Sequence, residues 1–293
     1  MTIVSAADGW PSPMPDEWAD ARLRPTTSAR SLLITILGEF AYPRSGEAWT
    51  ATLVDALGAM GVEHKSARQA LSRAAQEGLL TATRYGRRVR WTLTPAGDDL
   101  LRLGTERIYG FLRTPGRWDG QWLLVSAPIP AAERLLRHRL RTRLSWLGMG
   151  SPSPGLWVVP NTQKAAEVQA VLEELGLADR AFAWAGRVVG EADVTRLIAS
   201  AWDLGELAAR YADFIARFSA PDTQVRKPFV DQVNLIQEWR RFPFLDPDLP
   251  PELLSDDWPG ARAADTFHDR HERWDRGAQA AWERMEAEAA ARL

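Results

Sequence analysis

The amino-acid sequence predicts an α+β protein in three folded segments behind an N-terminal tail, and three observations carry that reading. Helical apolar spacing recurs before a short two-stranded hairpin in residues 27–113. Strand and helix patterns then run β-α-β-β-α-β through 114–192, and from 193 to 293 the spacing is helical. In order, these give a winged helix-turn-helix, a ferredoxin-like α+β central domain and an α-helical C-terminal domain. Residues 1–26 are rich in Pro, Asp and Ala, lack periodicity, and read as a flexible tail.

In the first segment, Leu32, Leu33, Ile36, Leu37 and Phe40 repeat at helical spacing, and Tyr42-Pro43 closes that helix. Trp49, Leu53, Leu57 and Met60 form a second stripe, ended by Gly61. The third helix is expected from Ser66 to Gly78. Strands follow near 79–84 and 88–93, joined through Arg84-Tyr85-Gly86-Arg87, and Thr94-Pro95 supplies an N-cap and first-turn proline for a fourth helix.

Residues 114–119 read as a linker. Trp122–Val125 is the first strand of the central domain. Residues 131–148 form an amphipathic helix with Leu136, Leu140, Leu144 and Leu147 inward, and 148–154 hold the weakest of the expected strands. Residues 156–159 are a strand, 163–176 a helix and 181–189 the last strand. Beyond 193, Leu204, Leu207, Ala208, Tyr211, Phe214 and Phe218 form one stripe. Val230, Val233, Ile236 and Trp239 form another. A proline-rich corner at 240–260 precedes a final helix over 261–292 carrying Phe267, Trp274, Trp282 and Met285.

Composition removes several function classes. The chain has 293 residues, 45% of them hydrophobic and 25% charged, and no cysteine, which excludes disulfides, thiolate metal sites and cysteine nucleophiles. No apolar run approaches the roughly 18 residues that span a bilayer, and the N-terminus lacks a basic-then-apolar secretion pattern. A cytoplasmic protein without membrane partners is expected. Net charge is −2, unevenly spread: residues 27–115 carry 12 bases and 8 acids, residues 198–293 carry 12 bases and 18 acids. One domain binding DNA and another binding something else would have that asymmetry.

The third helix and the hairpin hold the candidate DNA-binding residues. Ala67, Ala70, Leu71 and Ala74 face inward, which leaves Lys65, Ser66, Arg68, Gln69, Ser72 and Arg73 as donors for base edges or phosphates. Ser66-x-x-Gln69 also fits a capping box, which would commit Gln69 to the helix instead. Arg84, Arg87, Arg88 and Arg90 crowd the hairpin with no acid among them, a spacing suited to phosphates or a minor groove. Each feature alone also fits a solvated surface, whereas helix and hairpin together favour DNA.

Three blocks of this sequence resemble the PaaX family, named for the repressor of phenylacetic acid degradation. They are SARQALSRAAQEGLL with YGRRVRWTLTPAG, WDGQWLLVSAPIP continuing to LSWLGMGSPSPGLWVVP, and EWRRFPFLDPDLPPELLSDDWPGARA. Together they span about 27–292. The resemblance implies a transcriptional regulator, usually a repressor, that binds a double-stranded DNA operator as a homodimer and is released by an (aryl)acyl-coenzyme A effector; it implies no cofactor. Support within the sequence for a ligand domain is the count of 14 tryptophans and a basic helix face of Arg134, Arg137 and Arg141 suited to coenzyme A phosphates. Core filling and a solvated helix face are the plainer readings of both.

Two enzyme readings compete. The central domain also resembles a small CRISPR-associated ferredoxin-like nuclease, and Asp119 precedes its first strand, but no second acid shares that motif. His268 and His271, with Asp265 and Asp269 nearby, have helical spacing for a metal, but two exposed histidines in a charged helix explain them as well. An acyl-coenzyme A binding module with residual DNA binding is a further alternative. No phosphate-binding loop, dinucleotide fingerprint or nucleophile elbow is present. The sequence is therefore read as a non-enzyme, without catalytic or metal residues.

Overall fold

The structure, a computed structural model, describes residues 28–113, 118–219 and 227–291. The expected tail over 1–26 and most of the linker over 114–119 lie outside them. The fold is mixed α+β, with two antiparallel sheets and a helical C-terminal region. The chain divides into two compact units. One contains 114–212 and 241–261, the other 25–113, 213–240 and 262–293. The helical stretch after 193 thus contributes to both.

The second unit begins with α1 (Ala29–Ile36), where the Ser28 hydroxyl accepts the Ser31 N–H at 3.1 Å and caps the first turn. Leu37–Ala41 continue it as a π-helical turn. Next come β1 (Glu47–Trp49), α2 (Thr50–Ala59), α3 (His64–Gln76), β2 (Leu80–Tyr85), β3 (Arg88–Leu93) and α4 (Pro95–Gly110). The strand order is β1-β3-β2. Strand β1 corrects the sequence reading, which placed Trp49 on the second helix. Trp49 instead ends a strand paired with Arg90, and its extended backbone starts α2 one residue later.

Helices from the far end of the chain complete this unit's core. Phe229 and Val233 of α9 (Pro228–Trp239), and Ala278 and Trp282 of α11 (Gly260–Ala291), are buried with Leu33, Ile36, Phe40, Leu53 and Leu71. Trp282 stacks on Phe40 at 5.5 Å, and Phe40 meets Phe229 at 4.9 Å. Polar ties flank them. The Gln237 amide donates to Thr35 Oγ1 at 3.0 Å, as does the Arg240 guanidinium at 2.8 Å. Burial, with Arg30 adding to it, pushes the Arg240 pKa down to about 10.

In the first unit, β4 (Trp122–Ser126), α5 (Arg134–Trp146), β5 (Gly150–Ser153), β6 (Leu156–Val159), α6 (Ala165–Glu174) and β7 (Phe182–Gly186) build a sheet of order β5-β6-β4-β7, with antiparallel neighbours throughout. Alternation sends Leu123, Val125 and Val159 to α5 and α6, and Trp122 and Val158 to the other face. There they pack on Ile198 of α7 (Glu191–Ala201) and on Leu249. The weak strand is β5, an irregular edge whose register shifts between Gly150 and Ser153 around Pro152. Tyr211 of α8 (Leu204–Phe218) stacks on Phe242 of α10 (Phe242–Leu245) at 4.2 Å and donates to buried Asp246 at 2.6 Å. Burial raises the Tyr211 pKa and pushes that of Asp246 up to about 6, against the lowering effect of this hydrogen bond.

Candidate nucleic-acid interface

Helix α3 begins two residues before the expected start. Gly61, with φ +82°, ends the preceding segment, and Glu63 takes the extended backbone of an N-cap. Ser66 is therefore a first-turn residue, no Ser66–Gln69 capping box forms, and Gln69 is exposed. Ala67, Ala70, Leu71 and Ala74 are the buried residues of this helix. Lys65, Arg68, Gln69, Ser72 and Arg73 are exposed, and Ser66 is half-buried. The small inward side chains admit close packing against α1 and α2. His64, exposed at the first helical position, was not among the sequence candidates. At the other end Glu77 accepts the Arg30 guanidinium at 2.7 Å.

The hairpin turns tightly. Tyr85 pairs with Arg88, leaving Gly86 and Arg87 as a two-residue turn with Gly86 at φ +62°. Its four arginines fall into two groups. Arg84 and Arg87 are exposed. Arg88 and Arg90 are half-buried, stacked over the Trp49 ring at 4.7 and 5.2 Å. Arg90 pairs with Glu47 at 3.1 Å, and Arg88 donates to the Ala290 carbonyl, in the last turn of α11, at 2.5 Å. A cation there meets one of the helix's unsatisfied carbonyls. Strand pairing puts Arg88 and Arg90 on the face that Trp49 covers. Trp49, which also meets Tyr85 edge-on at 5.7 Å, and the end of α11 are the site residues that sequence reasoning missed. The short alternation Glu47-Ala48-Trp49 was the one local signal for β1.

Thr50 and α11 set the hairpin's base. Thr50 Oγ1 donates to the Val89 carbonyl at 3.1 Å and accepts the Trp91 indole N–H at 2.9 Å. Glu286 accepts the Trp49 N–H at 3.3 Å, and Glu283 pairs with Arg44 at 3.1 Å. Thr94 accepts the Gly97 N–H at 3.0 Å and caps α4 as its sequence predicts.

His271 and His268 do not stand exposed on a charged helix. Both are half-buried because α11 packs into this unit. His271 Nε2 lies 2.8 Å from Glu39 Oε1, Gln232 donates to the same oxygen at 2.7 Å, and Tyr109 donates to the other carboxylate oxygen. Burial first, then the Glu39 charge, raises the Tyr109 pKa. Burial, then Arg113 and His271, lower that of His268. Among the described residues no group of three or more His, Asp or Glu is placed to hold a metal ion.

In the first unit Arg134, Arg137 and Arg141 are exposed on α5. Arg141 lines a cavity there, whereas Arg134 and Arg137 do not, and Arg137 donates to the Ala131 carbonyl. Asp119 accepts the Gln121 N–H at 2.8 Å and closes a local turn. Among the described residues no helix is long and apolar enough to cross a membrane.

The class follows from how the chain matches known families. The models "PaaX-like protein" at 28–97, "PaaX protein central Cas2-like domain" at 115–198 and "PaaX-like protein C-terminal domain" at 202–284 fit it in sequence order. The chain belongs to the PaaX-like family of transcriptional regulators. It is 32% identical over 248 residues to the transcriptional repressor PaaX of Escherichia coli (strain K12), covering 80% of this chain and 77% of that protein. Its fold is similar to that of the uncharacterized protein Rv0674 from Mycobacterium tuberculosis, with a TM-score of 0.62 at 22% identity, over 88% of this chain and 100% of the other.

Proposed function

We propose that this chain is a DNA-binding transcriptional repressor in which residues 27–113 of the second unit are a winged helix-turn-helix, with α3 as recognition helix and the β2–β3 hairpin as wing. One observation carries the reading: an exposed face of Lys65, Arg68, Gln69, Ser72 and Arg73 on a helix that precedes a hairpin tipped by Arg84 and Arg87. Arg68 and Gln69 are donors matched to guanine and adenine edges, and they stand in the N-terminal half of the helix that enters a major groove. Arg84 and Arg87 supply phosphate contacts. Arg88 and Arg90, held over Trp49, act by setting the wing's pose.

The strand order β5-β6-β4-β7 supports a ferredoxin-like central domain. A homodimer would place two copies of α3 on half-sites one or more helical turns apart. An effector, expected as an (aryl)acyl-coenzyme A, lowers operator affinity only by binding the DNA-free geometry more tightly.

Fluorescence anisotropy with duplexes from the protein's own upstream region, across a range of salt, tests the reading. Selective retention of one duplex over scrambled DNA is expected, with affinity falling steeply as salt rises. Equal, salt-insensitive binding to every duplex, or none, overturns it.

A further inference from the structure

We propose that the last turns of α11 position the β2–β3 hairpin for DNA, with Glu286 and the Ala290 carbonyl as the groups that hold it. The inference rests on the regulator reading above, which makes that hairpin the wing.

Six residues of α11, His271, Asp275, Gln279, Glu283, Glu286 and Ala290, follow one another at steps of four, four, four, three and four. At 3.6 residues per turn they share an arc of about 120° and extend along about 28 Å of helix. Each meets the second unit at a different height. His271 Nε2 lies 2.8 Å from Glu39, in the π-helical turn after α1. Asp275 accepts the Gln232 amide of α9 at 3.4 Å. Gln279 and Glu283 accept the two terminal nitrogens of Arg44 at 2.7 and 3.1 Å. Glu286 accepts the Trp49 N–H of β1 at 3.3 Å, and the Ala290 carbonyl accepts the Arg88 guanidinium of β3 at 2.5 Å.

Beside this polar stripe Ala278, Trp282 and Ala289 are buried. Apolar burial decides which side of α11 faces the core, but it is non-directional and constrains the position along the axis less. Hydrogen bonds, bounded in length and angle, fix that position. The outer contacts add little to stability: Glu283 is 65% exposed in its pair with Arg44, and exposed ion pairs contribute weakly. What the last two hold is the hairpin. Glu286 fixes β1, whose Trp49 is paired with Arg90 of β3. Ala290 fixes Arg88, the residue that follows the Gly86-Arg87 turn. A hairpin held at these two points keeps Arg84 and Arg87 in one pose, and less freedom is lost when they meet phosphates.

Hydrogen exchange and fluorescence anisotropy on the full chain test this. The variants are Glu286→Ala, Glu286→Gln, which keeps an acceptor for the Trp49 N–H, and Glu272→Ala, which removes an exposed acid far from the hairpin along α11. In Glu286→Ala the hydrogen-bonded amides of residues 80–93 should exchange at least fivefold faster, while those of α2 stay within twofold. Its affinity for the duplex that wild type prefers should fall at least fivefold, with the salt slope and melting temperature unchanged. Glu286→Gln should bring both readouts back to within twofold of wild type, and Glu272→Ala should match wild type. Unchanged hairpin exchange in Glu286→Ala, acceleration of α2 together with the hairpin, or a loss that Glu286→Gln does not restore overturns the proposal. So does tighter DNA binding with a steeper slope, because the end of α11 would then mask Arg88 instead of placing the hairpin. Wild type that retains no duplex strikes the regulator reading alone, since the exchange measurement needs no DNA.

Discussion

At the scale of single residues, position in the strand ladder separates arginines that composition treats alike. Arg87 sits in the turn and Arg88 opens the strand, yet only Arg88 is tied to Trp49 and Ala290. Arg87→Ala is expected to weaken all duplexes and lower the salt slope by about one phosphate contact. Arg88→Ala should leave the slope unchanged and lower the melting temperature. Arg68→Ala should cost about 1–3 kcal/mol on one sequence and little on others. A full salt titration of each variant checks all three. Asp246 yields a different measurement. Its folded pKa of about 6 exceeds the ordinary 3.8, because burial opposes the charge. The native state then binds a proton that the unfolded chain has lost, so this group's stabilisation is complete below pH 4 and disappears as pH rises through 6. Melts of wild type against Asp246→Asn should diverge by on the order of 3 kcal/mol between pH 4 and 7, with wild type losing ground as pH rises. The exposed residues of α3 were legible because helical period alone sorts them. The fates of Arg88 and Arg90 were not, since their partners Trp49 and Ala290 come from other elements.

Elements were legible where one local rule decides them. Thr94-Pro95 starts α4 as written, the stripe of α1 is buried as spaced, and in α5 Leu140 and Leu144 are buried while Leu136 is half-buried. The start of α3 was misplaced because Ser66 looks like a cap while the conformation of Gly61 and Glu63, a tertiary matter, sets the true one. Strand β1 was missed because three residues carry too little periodicity to compete with the helix that follows. Where α4 meets the hairpin, Gly97 is required by distance: a Cβ would lie 2.2 Å from the Leu79 carbonyl oxygen, which also accepts the Thr94 N–H. Gly97→Ala should cost about 1–3 kcal/mol by overpacking and shift the β2–β3 hairpin against α3. Denaturant melts and DNA affinity should both worsen, whereas Gly176→Ala, at a position where an added Cβ meets nothing but φ is +65°, should lower stability without touching DNA affinity.

At the scale of the molecule, sequence order is a poor guide to what packs together. The stretch after 193 reads as one helical block, but its residues are shared between two compact units. Trp282, 1% exposed, stacks on Phe40 from the opposite end of the chain. Trp282→Ala should therefore destabilise the second unit by about 3–5 kcal/mol, and a fragment of residues 28–113 should give the dispersed amide spectrum of a folded domain only when the C-terminal helices are supplied. A cooperative melt of that fragment alone would contradict the shared core. The same stacking has a consequence for synthesis. A ribosome adding about 5–20 residues per second delivers Phe40 many seconds before Trp282. The apolar face of α1 must wait, sheltered by transient contacts or chaperones, until the last helix emerges, so a prematurely ended chain would carry α3 and the β2–β3 hairpin without the core that arranges them.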